Sequence, residues 1–114
     1  HAQEIQKMKR GSLYWVNLEP ISPPEFGKVR PGLVISNSEQ NARLPTVVIL
    51  PLSTQPPEIW PLRLEIPPSG TKKSFVVLPG IRQVNKARLQ EMIGIVPRNF
   101  LERLEEALKA YLSD

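Results

Sequence analysis

Proline is the feature that most restricts this chain: thirteen prolines and six glycines are spread through 114 residues. Proline removes a backbone donor and breaks helices, so a chain cut this often cannot be mostly helical. What lies between the breaks are short β-branched or aromatic runs, the pattern of a small barrel or sandwich. The runs are Leu13–Leu18, Gly32–Ser36, Thr46–Leu50, Leu62–Ile66, Ser74–Leu78, Ile81–Val84 and Met92–Val96. Thr46–Leu50 is the most apolar and is expected at the sheet centre. Pro51 and the pair Pro56–Pro57 bound Leu52–Gln55, which is therefore expected to leave the sheet or lie on its edge. Pro67–Gly70 reads as a turn, and Pro79–Gly80 as a bend.

Two segments carry helical signals. Ser36–Gln40 reads as a short helical turn capped by Asn37 or Ser38. Near the C-terminus, Phe100, Leu101, Leu104, Ala107, Leu108, Tyr111 and Leu112 recur at three- and four-residue steps. That spacing predicts an amphipathic helix on the barrel with its acidic face outward. Asn99 and Glu102 have the spacing of a capping box.

Residues 9–114 have the size of one domain. Residues 1–8 read as a disordered N-terminal extension or a cloning remnant, with Met8 as an alternative natural start. No secretory signal and no apolar run of the ~18 residues needed to cross a bilayer is visible, so the expected location is cytoplasmic, away from membranes.

Composition narrows the chemistry. There is no cysteine and one histidine, His1. Thiolate nucleophiles, thiolate metal sites and the usual imidazole base are all excluded from the body of the chain. No metal and no cofactor is expected. The formal net charge is +4, unevenly spread: residues 1–98 hold thirteen basic and seven acidic side chains, whereas residues 99–114 hold two and four. A basic body suits a polyanionic partner.

Three segments carry further information in combination. They are Arg10–Pro20, then Glu25–Asn37 with its Arg30-Pro31 step, an apolar strand and Ser36-Asn37, and then Leu44–Thr54 closing on Pro51-Leu52-Ser53-Thr54. With Ser74–Leu78 and Ile81–Leu89 in the same order, the chain resembles the MazF/PemK family of toxin endoribonucleases over nearly all of residues 9–112. The resemblance implies a mainly β, SH3-like small barrel of the CcdB/MazF type with one C-terminal helix, working as a homodimer. It implies the toxin of a type II toxin–antitoxin system, an mRNA interferase that inhibits growth. Such a toxin cuts single-stranded RNA at selected sequences without a metal, leaving a 2′,3′-cyclic phosphate and a 5′-hydroxyl. An antitoxin with an extended acidic segment would block the groove.

The residues are compatible with that chemistry. RNA supplies its own nucleophile, the 2′-hydroxyl, so an enzyme need only align it and stabilise charge on phosphorus. By resemblance Arg30 is the catalytic arginine, and a guanidinium can hold two phosphate oxygens at once. Ser53 stands where the family usually has threonine and keeps the hydroxyl. Glu25 and Thr54 are candidates for catalytic support. Glu25, Lys28 and Arg82 are candidates for RNA contact. Arg88, like Arg82, could equally be structural or face the antitoxin. Trp15 could be core or dimer interface, and Trp60 could stack on bases.

Two departures from the family stand out. Pro24 replaces a glycine before Glu25, and Pro79-Gly80 replaces a carboxylate and glutamine before Ile81-Arg82. The second leaves open a weakened or binding-only relative. A toxin of the same barrel that binds a protein such as gyrase, in the manner of CcdB, is the alternative from another class, and the Arg30/Ser53 pair argues against it.

Overall fold

The structure, a computed structural model, describes residues 8–19, 28–67 and 73–114. Seven strands and two α-helices fall in these residues: β1 (Ser12–Asn17), β2 (Val29–Val34), α1 (Ser38–Arg43), β3 (Thr46–Ser53), β4 (Arg63–Glu65), β5 (Phe75–Val77), β6 (Arg82–Asn85), β7 (Leu89–Ile95) and α2 (Arg98–Leu112). Short 3₁₀ turns, Leu78–Gly80 and Lys86–Arg88, flank β6. The strands form an antiparallel sheet in the order β4-β5-β3-β2-β1-β7, with β6 also paired to β3.

β3 is the hub expected of the most apolar run. One edge pairs with β2; the other pairs first with β6, up to Ile49↔Arg82, and then with β5, from Leu52↔Val76. Here one expectation is corrected. The chain does not leave the sheet at Pro51; β3 runs through it to Ser53. Pro51 sits where β3 changes partners from β6 to β5, between the two ladders, so its missing N–H interrupts neither.

β2 likewise begins earlier than expected, at Val29 rather than Gly32. The Leu18 N–H donates to the Lys28 carbonyl at 2.9 Å. In the antiparallel ladder this sets the hydrogen-bonded pairs at alternate positions, so Val16↔Arg30 and Tyr14↔Gly32 are bonded and Trp15↔Pro31 is not. Pro31 therefore stands where β1 needs no donor. Gly32 is required for space: a Cβ there would come within 2.9 Å of Val16 Cγ2, with Ile49 close behind.

Two apolar clusters fill the interior. The first joins Leu33, Leu50, Leu52, Leu64, Val76 and Leu78 of the sheet to Phe100, Leu104 and Ala107 of α2. The second joins Val16, Leu18, Val34, Val47, Ile49, Val84 and Leu89. Met8 is buried in that cluster, so the folded unit includes a residue that the sequence reading assigned to an N-terminal extension.

Caps follow local chemistry. Asn37 Oδ1 accepts from the N–H groups of Glu39 and Gln40 at 2.8 and 3.2 Å, which starts α1. Asn41, wholly buried, donates to the carbonyls of Met8 and Ser36 and accepts from the Ser36 hydroxyl at 2.6 Å. The Ser36-Asn37 step is thus structural. The capping box at Asn99 does not form. α2 starts one residue earlier than that, with Pro97 as N-cap and no side-chain cap bond, which leaves Asn99 inside the first turn.

Candidate functional site

The register of β2 and β3 puts the two main candidates toward the same end of the sheet. The ladder Val34↔Ile49, Leu33↔Leu50, Gly32↔Pro51 steps down one residue on β2 for each residue up on β3. Two steps further along the same strands stand Arg30 and Ser53. Arg30 is the second residue of β2 and Ser53 the last of β3, so both lie at one end of the sheet. Alternation puts them in the same side-chain series as Gly32, Val34, Ile49 and Pro51.

Arg30 is exposed, as are its neighbours Val29 and Lys28. Lys28 has a left-handed backbone, with φ at 61°. That conformation is costly for a residue with a Cβ, and it sits directly before the strand that carries Arg30. Ser53 is buried to 6% exposure, and its Oγ accepts from the Gln55 N–H at 3.0 Å. The bond uses one acceptor site of the hydroxyl and leaves its O–H able to donate. Thr54 beside it is exposed. Glu25 lies outside the described residues, as do Pro23 and Pro24.

Arg82, from β6, and Arg88, from the turn before β7, both reach the end of β1. Arg82 Nη1 donates to the Leu18 carbonyl at 3.4 Å. Arg88 Nη1 donates to the Asn17 carbonyl at 3.1 Å and also to the Glu19 carbonyl. Both arginines are half-buried. Neither the number nor the nature of these bonds has a signal in the sequence, because the acceptors are backbone atoms. Pro79 is exposed in the turn before Ile81 and brings no ionisable group to the place of the family carboxylate.

The tryptophans are elsewhere. Trp15 is 40% exposed, so it does not enter the core. Trp60 lies on the helix side of the molecule, where the Arg103 guanidinium stands 5.7 Å above its ring. Arg103 also pairs with Glu58 at 2.8 Å, and that bond, helped by the Glu65 N–H, holds the Glu58 carboxyl below its usual range. Burial pushes the Tyr14 hydroxyl up. Among the described residues no group of three or more His, Cys, Asp or Glu side chains could hold a metal ion. No helix among them is long and apolar enough to cross a membrane.

Comparison with known proteins gives the family of this arrangement. Residues 9–112 match the family described as PemK-like, MazF-like toxin of type II toxin-antitoxin system. Endoribonuclease EndoA of Bacillus subtilis is 31% identical over 110 residues, which is 93% of this chain and 95% of the relative. Among solved structures, MazF from Deinococcus radiodurans superposes with a TM-score of 0.79 at 23% identity, covering 92% of this chain and 96% of that one. A mycobacterial endoribonuclease solved in complex with its cognate antitoxin gives 0.77 at 25% identity, covering 92% and 94%. The antiparallel sheet with its C-terminal helix is the fold of these toxins. The chain belongs to the PemK-like, MazF-like toxin family of type II toxin–antitoxin systems.

Proposed function

We propose that this protein is the toxin of a type II pair and an endoribonuclease that cuts single-stranded RNA without a metal. The observation that carries the reading is the placement of Arg30 and Ser53 toward the same end of the neighbouring strands β2 and β3. The likeness to endoribonucleases over nearly the whole chain supports it.

The chemistry runs as an internal transfer. The 2′-oxygen loses its proton and attacks the neighbouring phosphorus; the bond to the 5′-oxygen breaks, and that oxygen takes up a proton. The products are a 2′,3′-cyclic phosphate and a 5′-hydroxyl. Arg30 grips two non-bridging oxygens and stabilises the charge that builds on them. It donates rather than accepts, because a guanidinium carries five N–H donors and no acceptor. Glu25 is the candidate acceptor for the 2′-proton. Ser53 donates its O–H to a phosphate oxygen, and Thr54 assists. Lys28, exposed beside Arg30, contacts a flanking phosphate. Arg82 adds positive potential from behind.

The same reading gives the partners. An extended acidic antitoxin segment would compete with RNA for the basic end. A second copy of the chain would cover the apolar edge: β7 is a terminal strand of the sheet, and Met92, Ile93 and Ile95 on it are exposed. An uncovered apolar edge invites pairing with another chain. Action on messenger RNA beside an antitoxin supports a cytoplasmic location.

The test is incubation of the pure protein with a long single-stranded RNA in EDTA. Discrete fragments with 5′-hydroxyl ends are expected, and Arg30→Ala should lower the rate by at least about a hundredfold. Cleavage surviving that substitution, or requiring added metal, refutes the assignment.

A further inference from the structure

We propose that Arg82 and Arg88 are positioning residues for Arg30, acting by holding three consecutive carbonyls at the end of β1. The proposal rests on the reading of Arg30 as the residue that grips the phosphate.

Arg30 is supported unequally by the two strands beside it. On one side of β2, pairing with β3 is regular from Val34 to Gly32 and ends at Gly32↔Pro51, before Arg30 is reached. On the other side, pairing with β1 continues through Val16↔Arg30 to Asn17↔Val29, and closes with the Leu18 N–H on the Lys28 carbonyl. The backbone of Arg30 is thus set by the end of β1. That end has its own difficulty. Pairing of β1 with β7 stops at Val16↔Leu89, so residues 17–19 run beyond the ladder of their other neighbour.

Arg88 supplies the donors that β7 does not, and Arg82 serves the carbonyl that faces β2. Arg88 reaches the carbonyls of Asn17 and Glu19, and Arg82 reaches that of Leu18 between them. A terminal guanidinium nitrogen carries two hydrogens, so one Arg88 nitrogen can serve both acceptors. The Asn17 side chain completes the end by accepting from the Glu19 N–H at 3.0 Å. Arg82 is itself fixed to β3, opposite Ile49 and four residues before Ser53. The clamp therefore ties the strand that sets Arg30 to the strand that carries Ser53. Carbonyls are neutral, so both guanidinium charges persist at the end of the sheet where a phosphate is to be held. An arginine spent on carbonyls acts on the reaction through Arg30, without touching RNA.

The effect expected of such a residue is on turnover. A displacement of an ångström or so in the group that grips the reacting phosphate costs rate more than affinity. The experiment compares wild type, Arg30→Ala, Arg82→Gln, Arg88→Gln and Arg88→Lys on an RNA oligonucleotide containing one site mapped with the wild-type enzyme, alongside amide hydrogen exchange. The glutamine variants should lose about tenfold or more in kcat with KM within about threefold, and Arg88→Lys, which keeps a charged donor, should recover most of the loss. Exchange at the Leu18 and Arg30 amides should quicken by about tenfold or more in Arg88→Gln, while Leu50 and Leu104 keep their protection.

Unchanged kcat in both glutamine variants overturns the proposal. So does a loss confined to KM, which would make the arginines RNA contacts. Exchange that quickens equally in the core overturns it too, since the role would then be general stability. An inactive Arg30→Ala beside a fully active Arg88→Gln sinks this proposal alone. An Arg30→Ala that cleaves like wild type sinks the reading beneath it as well.

Discussion

The arginines at the two sides of this molecule are used in opposite ways. On the helix side, Arg10 pairs with Glu105 at 2.5 Å, and Arg103 pairs with Glu58 while covering Trp60. Each positive charge meets a negative one, and the result is local attachment of α2 to the sheet. At the end of β1 and β2, Arg82 and Arg88 meet carbonyls instead. Among the described residues neither pairs with a carboxylate, so there their charges are held in place without being neutralised. The difference separates arginines that fasten the fold from arginines that prepare a field for a polyanion.

If the contrast is correct, substitutions on the two sides should separate activity from stability. The larger effect belongs to the strand end. Ser53→Ala should slow RNA cleavage by about ten- to a hundredfold in single-turnover assays, because it removes a donor to the phosphate. Ser53→Thr, which restores the hydroxyl, should cleave near the wild-type rate. An alanine variant as active as wild type would break the comparison at its active side.

The smaller effect belongs to the helix side. Arg103→Ala should leave the cleavage rate unchanged and cost under about 1 kcal/mol of stability, the usual worth of an exposed pair. The pH dependence sharpens this. Glu58 is held below its usual range mainly by the hydrogen bond from Arg103. A carboxyl lowered in the folded state stabilises above its unfolded pKa, and that stability fades as pH falls through the folded value. The difference in thermal midpoint between wild type and Glu58→Gln should therefore be present at neutral pH and shrink in acid below about pH 4. A difference that grows in acid would contradict the assignment.

How far the sequence carries depends on which atoms do the work. Side-chain patterns made the strands legible, since β-branched runs between prolines mark them directly. The hub role of Thr46–Leu50 and the apolar face of α2 follow from the same logic. Strand limits were less legible. β7 begins at Leu89, well before Met92, because exposed Gln90 and Glu91 on an edge strand carry no apolar signal. Pro31 and Pro51 look like strand breakers until the register shows that each occupies a place where no ladder bond is needed. Met8 looked expendable because nothing local reveals that its carbonyl holds Asn41.

The site divides in the same manner. Arg30 and Ser53 stood out through resemblance to a family, while their placement toward one end of the sheet depends on a register that no local pattern encodes. The clamp by Arg82 and Arg88 was not legible at all: its acceptors are main-chain oxygens, identical at every position. The Ser36-Asn37 step, which helped mark the family, turns out to serve α1 and the buried Asn41.

The central claim is that the RNA provides the attacking oxygen and the protein supplies only a guanidinium and a hydroxyl to hold the phosphate. Its most direct measurement uses a short RNA bearing one mapped site, with a single 2′-deoxy substitution at the nucleotide 5′ to the scissile bond. The account predicts that this oligonucleotide binds with unchanged affinity and is not cut, while the all-ribo strand is cut in EDTA. Cleavage of the deoxy strand at the same bond would require water as the nucleophile and would contradict the account.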